Sequence, residues 1–132
     1  MNILVVDDDP GCVCLLQEVL GMIEDIEIIT AGDGAEAWWW LTHPTLRYSL
    51  AILDVKMPKV DGFALLSRIR ATPHLLTLPV MMCTGVMDRR IISKAAQLNV
   101  SGYLHKPFCP EMLLEKVEAA LPHRSGRTVT IV

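Results

Sequence analysis

Apolar residues in this chain fall into five short, nearly unbroken runs: ILVV at 3–6, IEII at 26–29, LAIL at 50–53, VMMC at 80–83 and GYLH at 102–105. Runs of this length, rich in branched side chains, predict strands. Between them the apolar positions recur at helical spacing. Residues 10–21 open with Asp9 as N-cap and Pro10 in the first helical position, and set Val13, Leu16, Val19 and Leu20 on one face. Further helices are predicted from Gly32 to Thr42, from an Asp61 cap to about Ala71, from an Asp88 cap to about Leu98, and from Pro110 to Leu121. Thr72-Pro73 stops the third of these helices and Pro122 the last.

Strands that alternate with helices imply right-handed crossovers and a parallel sheet covered on both faces. The first, third and fourth runs are almost continuously apolar, as strands buried on both sides must be. The second run, broken by Glu27, and the fifth are predicted as edge strands. No repeat or low-complexity tract interrupts residues 1–121, which are expected to form a single domain. The remaining PHRSGRTVTIV, 122–132, is of another kind. Pro122 cannot continue a helix, Ser125-Gly126 favours a turn, and Thr128 to Val132 is β-prone. This tail, or truncated linker, is expected to leave the domain and either to dock on it or contact another chain, or else to be a disordered remnant.

The totals agree with a single domain. A length of 132 residues is close to the usual domain size, and 52% hydrophobic residues suffice for a filled core. No uncharged apolar stretch of about 18 residues exists, so no membrane span is expected. The N-terminal MNILVVDDD carries acids where a secretory signal carries positive charge, which predicts a cytoplasmic protein. A net charge of −3 offers no basic footprint for nucleic acid. Cys12 and Cys14, two apart on a helix, point away from one another. With Cys83 and Cys109 they are expected to be small buried residues in a reducing compartment. His43, His74, His105 and His123 lack metal spacing.

Polar chemistry collects where the strands stop. In ILDVKMPKVDG, 52–62, the third run ends on Asp54 and enters a turn at once. The first run ends on Asp7-Asp8-Asp9, the fourth on Thr84 and the fifth on Lys106. Open parallel sheets bind ligands outside the carboxyl ends of their strands. Each of these residues alone suits a cap, a turn or a solvated loop. Together, at matching strand ends, they predict one acidic cleft. Clustered carboxylates repel unless a cation neutralises them, and Mg²⁺ accepts carboxylate and phosphate oxygens together. A carboxylate beside such an ion can accept a phosphoryl group, with a lysine and a hydroxyl stabilising the transferring oxygens. No Gly-rich phosphate loop is present, so a nucleotide is not called for.

The pieces ILVVDDDP, ILDVKMPKVDG, VMMCTG and GYLHKPF, in that order, resemble a response-regulator receiver domain of the chemotaxis type over residues 2 to about 121. The resemblance implies a flavodoxin-like, doubly wound sheet of five strands in the order 2-1-3-4-5. It implies that Asp54 is the phosphoacceptor, that Asp8 ligates Mg²⁺ directly, that Asp7 helps through a metal-bound water, and that the Lys56 carbonyl completes the protein's share. Thr84 becomes the switch hydroxyl, Lys106 pairs with phosphoryl oxygens, and Tyr103 is the aromatic that swings inward with Thr84. Lys106-Pro107 is expected to be cis. Asp9 is left with capping alone. The implied partners are a histidine kinase or histidine phosphotransfer protein, and an output protein or domain reached through the fourth helix, fifth strand and fifth helix. The protein is then a switch, not an enzyme acting on a separate substrate.

Several residues depart from or extend that pattern. Trp38-Trp39-Trp40 spans about 200° of a helix, so all three cannot face the core. Either Trp39 simply lies along the surface or it anchors a partner. Lys56 and Val86 border the cleft and are expected to hinder water attack on a phosphorylated Asp54. Arg89-Arg90 and Glu111, Glu115 and Glu118 form charged faces, with homodimer contacts as the sharper expectation. Two rivals are a small Mg²⁺ phosphatase, which needs an acid where Lys56 stands, and a pseudo-receiver that is not phosphorylated.

Overall fold

The computed structural model describes residues 1–56, 61–85 and 88–121; Val86 and the tail lie outside them. The apolar runs become β1 (Asn2–Val6), β2 (Glu27–Ala31), β3 (Leu50–Asp54), β4 (Val80–Thr84) and β5 (Gly102–His105). All pairings are parallel and the order is β2-β1-β3-β4-β5, which puts the second and fifth strands at the edges. β2 reaches two residues beyond its apolar run because Thr30 and Ala31 pair with Val5 and Val6.

The helices are α1 (Pro10–Leu20), α2 (Gly34–Leu41), α3 (Gly62–Arg70), α4 (Arg89–Gln97) and α5 (Pro110–Ala120). Aspartates open four of them. Asp9 accepts the Gly11 N–H at 3.0 Å, Asp33 that of Glu36 at 2.8 Å, Asp61 that of Ala64 at 2.7 Å, and Asp88 that of Ile91 at 3.0 Å. Each such cap stabilises its helix by about 1 kcal/mol. The Asp33 cap is why α2 starts two residues later than its apolar pattern predicts. A 3-10 turn at Pro73–Leu75, also not predicted, follows α3. Arg70 fastens this corner. Its guanidinium donates to the carbonyls of Leu98 at 2.9 Å, Leu78 at 2.8 Å, Asn99 at 3.1 Å and Leu76 at 3.2 Å.

Side chains alternate across each strand, so the sheet sorts its residues by parity. Ile3, Val5, Leu50, Ile52, Met81, Cys83 and Leu104 face α1 and α5, together with Leu16, Leu20, Leu113 and Val117. Leu4, Val6, Ala51, Leu53, Val80 and Met82 face the other way, onto Leu41, Leu66, Ile69 and Ala95. Trp38 and Trp40 pack partly against this second core while Trp39 stays 59% exposed. Arg68 lies 4.1 Å over the Trp38 ring. The cysteines are less uniform than expected: only Cys83 is buried, Cys12 is half-buried, Cys14 is exposed on α1, and Cys109 is exposed at the N-cap of α5. No helix among the described residues is long and apolar enough to cross a membrane.

Candidate functional site

The parity that sorts the core also assembles the site. Val5, Ile52 and Leu104 share one face, so Asp7, Asp54 and Lys106, each two residues further on, leave their strands on that same side. β1 and β3 are neighbours, and their register brings Asp7 beside Asp54. Lys106 must reach across the end of β4, whose residue on this face is the small Cys83. Its ammonium lies 2.8 Å from Asp7 Oδ2 and 3.5 Å from Asp54 Oδ2. The Lys106–Pro107 peptide bond is cis.

The three acids are not equivalent. Asp7 and Asp54 are buried, whereas Asp8 is exposed, yet one carboxylate oxygen from each lies within 4.8 Å of the others. Burial raises Asp54 first, and the charge of Asp7 adds to it; Lys106 and the Lys56 N–H, 3.3 Å from Oδ1, only partly offset them. The result is a carboxyl pushed up to about 6. Burial opposes ionisation of Asp7 as well. There, hydrogen bonds from Lys106, the Asp9 N–H at 2.9 Å and the Cys12 thiol outweigh it, so this carboxyl titrates below the usual range. Lys106 is moved in the opposite sense to its own burial. Its bond to Asp7 and the charges of both acids hold the ammonium protonated well above the ordinary lysine range.

Thr84 is buried at the end of β4, and its carbonyl accepts the Lys106 N–H at 2.8 Å, which joins the two strand ends. Tyr103 packs on the opposite side of the sheet from Lys106, against the α2–α4 core. Its hydroxyl donates to the Ile92 carbonyl of α4 at 3.1 Å. Asp9 is taken up in capping α1, whereas Lys56 sits exposed immediately after β3.

Two contributors carry signals that composition and motif order did not isolate. A hydrogen bond from the Cys12 thiol helps to lower Asp7, and Cys12 together with burial raises the Cys83 thiol. Gly62 is the other. A Cβ there would overlap the Asp54 carbonyl oxygen, lie 3.0 Å from its carbon and press on Met82 Cε at 3.1 Å. The Asp-Gly that ends ILDVKMPKVDG is therefore a point where the returning chain presses against the backbone of Asp54 itself. The Gly62 N–H, bonded to the Val55 carbonyl at 2.9 Å, holds the approach closed.

An all-oxygen donor set with surplus negative charge suits a hard divalent cation.

The sequence matches the family model of the response regulator receiver domain over residues 3–118. It is 32% identical over 119 residues to the probable chemotaxis protein CheY of Rhizobium etli, covering 90% of this chain and 91% of the relative. The solved structure of chemotaxis protein CheY4 of Vibrio cholerae aligns with a TM-score of 0.83 at 28% identity, over 91% of this chain and 98% of that one. The Mn²⁺-bound form of response regulator Rcp1 aligns with a TM-score of 0.79 at 29% identity, over 92% of this chain and 99% of that one.

Proposed function

This chain belongs to the response regulator receiver domain family, and from that premise we propose that it is a cytoplasmic phosphorylation switch whose acceptor is Asp54. The donor is a phosphohistidine on a sensor histidine kinase or a phosphotransfer protein. An Asp54 carboxylate oxygen bonds to phosphorus as the nitrogen–phosphorus bond of the donor breaks, and the bonding pair returns to the imidazole. The observation that carries this reading is the convergence of Asp7, Asp8, Asp54 and Lys106 on one strand-end cleft.

Each residue has a part. Asp54, buried and elevated to about 6, is ionised at neutral pH yet poorly solvated, which favours it as a nucleophile. Lys106, already 3.5 Å from Asp54, takes up an oxygen of the arriving group, and the Thr84 hydroxyl takes another. We assign a Mg²⁺ site to Asp7, Asp8, Asp54 and the Lys56 carbonyl; the ion would neutralise phosphoryl oxygens. The Mn²⁺ form of Rcp1 supports a divalent ion in this fold. A charge of about −1.5 to −2 on Asp54 then favours a state in which Tyr103 gives up its bond to Ile92 and follows Thr84 inward. The readout falls on α4, β5 and α5, through an output domain, a separate protein or a second copy.

Incubation with a small phosphodonor and Mg²⁺, followed by intact mass measurement, tests this. The wild type should gain the mass of one phosphoryl group, and Asp54→Ala or a chelated sample should gain none. Full labelling of Asp54→Ala at pH 7 would remove the assignment. A pseudo-receiver would show no labelling in any sample.

A further inference from the structure

The molecule also has a concavity at the opposite end of the strands, where β3 and β4 begin. The last turn of α2, the segment 42–49 before β3 and the segment 74–79 before β4 enclose a cavity of about 610 Å³. That volume lies within the span of small-ligand sites, roughly 300–1,000 Å³. Its floor is apolar, formed by the buried Leu41, Leu75 and Leu78. Its rim carries Arg47, His43 and His74, and among the described lining residues there is no aspartate or glutamate. In a chain of net charge −3 this is a local reversal of sign.

The polar rim is specific in what it offers. The His43 ring accepts the Thr45 N–H on Nδ1 at 3.3 Å, which leaves Nε2 to carry the proton as a donor. The exposed Trp39 stands edge-on to that ring at 5.5 Å and extends an aromatic wall outward from it. Tyr48 spends its hydroxyl on the Trp40 carbonyl at 3.0 Å and so presents its ring. Arg47 is the one permanent charge of the described lining, so it matches a single negative charge.

We propose that this cavity binds a small organic monoanion with a flat apolar body, its carboxylate on Arg47 and the imidazole N–H groups and its body on the leucine floor. The strands between this cavity and the Asp54 cleft are five residues long, or about 17 Å. The site therefore stands apart from phosphorylation and does not depend on the function proposed above.

The test uses the full chain with 2-naphthoate as probe, and with 2-naphthamide and inorganic phosphate as controls, followed by amide chemical shifts and calorimetry. Naphthoate should give saturable shifts confined to 41–49 and 74–79, and phosphate should give none there. The neutral amide should bind about tenfold more weakly, the loss of one charge-assisted contact. Arg47→Ala should weaken naphthoate by a similar factor, and Thr77→Trp, at the exposed mouth, should block it. Both variants should keep the wild-type amide shifts outside 41–49 and 74–79, which shows that they fold. Absence of saturable shifts at millimolar naphthoate, equal binding of the amide, or an unaffected Arg47→Ala variant would each overturn the proposal. So would shifts of the same amides by an acidic peptide but not by naphthoate, which would give the cavity to a protein partner.

Discussion

Asp54→Asn should make the metal-free protein more stable at neutral pH. Folding moves this carboxyl from an ordinary value of 3.8 up to about 6, chiefly by burial and then by the charge of Asp7. Between those two values the folded state keeps a proton that the unfolded state has lost, so stability falls as pH rises through this window. At about 1.4 kcal/mol per pH unit the full cost is about 3 kcal/mol, present above pH 6 and absent below about 4. Asparagine keeps an oxygen for the Lys56 N–H, and Lys106 keeps its closer partner, Asp7 at 2.8 Å. The substitution thus removes the buried charge and little else. Urea unfolding of both proteins in chelator, from pH 3.5 to 8, measures the difference directly. The two stabilities should nearly coincide at pH 3.5 and separate in favour of the asparagine variant by up to about 3 kcal/mol at pH 7. Saturating Mg²⁺ should narrow or reverse the gap, because only the wild type has the full donor set. A variant no more stable at pH 7 than at pH 3.5, relative to wild type, would refute the claim that Asp54 is held ionised at a cost.

Three further outcomes follow from the same geometry. Asp8→Ala should weaken Mg²⁺ binding, titrated by tryptophan fluorescence, more than Asp9→Ala, because Asp9 caps α1 through Gly11 while Asp8 lies among the cluster oxygens; equal losses would contradict this. Gly62→Ala should cost about 1–3 kcal/mol in urea unfolding and slow Asp54 labelling, because the added methyl meets the Asp54 carbonyl; wild-type behaviour in both would contradict the close approach. Lys56→Asn should shorten the lifetime of the phosphorylated form, followed by loss of the phosphorylated gel band; an unchanged lifetime would show that this cation does not shield the group from water.

Much of this was legible from the chain because strand parity and strand ends are one-dimensional properties. The run ILVVDDD places Asp7 by counting, as LAILD places Asp54, and both land on the face that Val5 and Ile52 define. The sheet order was legible only through the family resemblance, since alternation fixes parallel pairing without saying which strands are neighbours. What escaped depends on distances between remote segments. Gly62 reads as an ordinary turn glycine until the Asp54 backbone is found against it. Cys12 and Cys83 are 71 positions apart by subtraction, and nothing in their local sequence joins them to Asp7. Arg70 looks like a solvated helix-end cation and instead binds four carbonyls from the ends of other segments. Lys106 shows the same limit from another side. Its place at strand end five is plain in the sequence, but its preference for Asp7 over Asp54 is set by a difference of 2.8 against 3.5 Å.

The most direct measurement is to locate the modified residue. After reaction with a small phosphodonor and Mg²⁺, borohydride reduction converts an aspartyl phosphate to homoserine, and fragmentation of the peptides identifies the position. The account predicts homoserine at position 54 alone, dependent on both the phosphodonor and the metal. Homoserine at position 7 or 8, or phosphate retained on a histidine or serine with Asp54 intact, would contradict it.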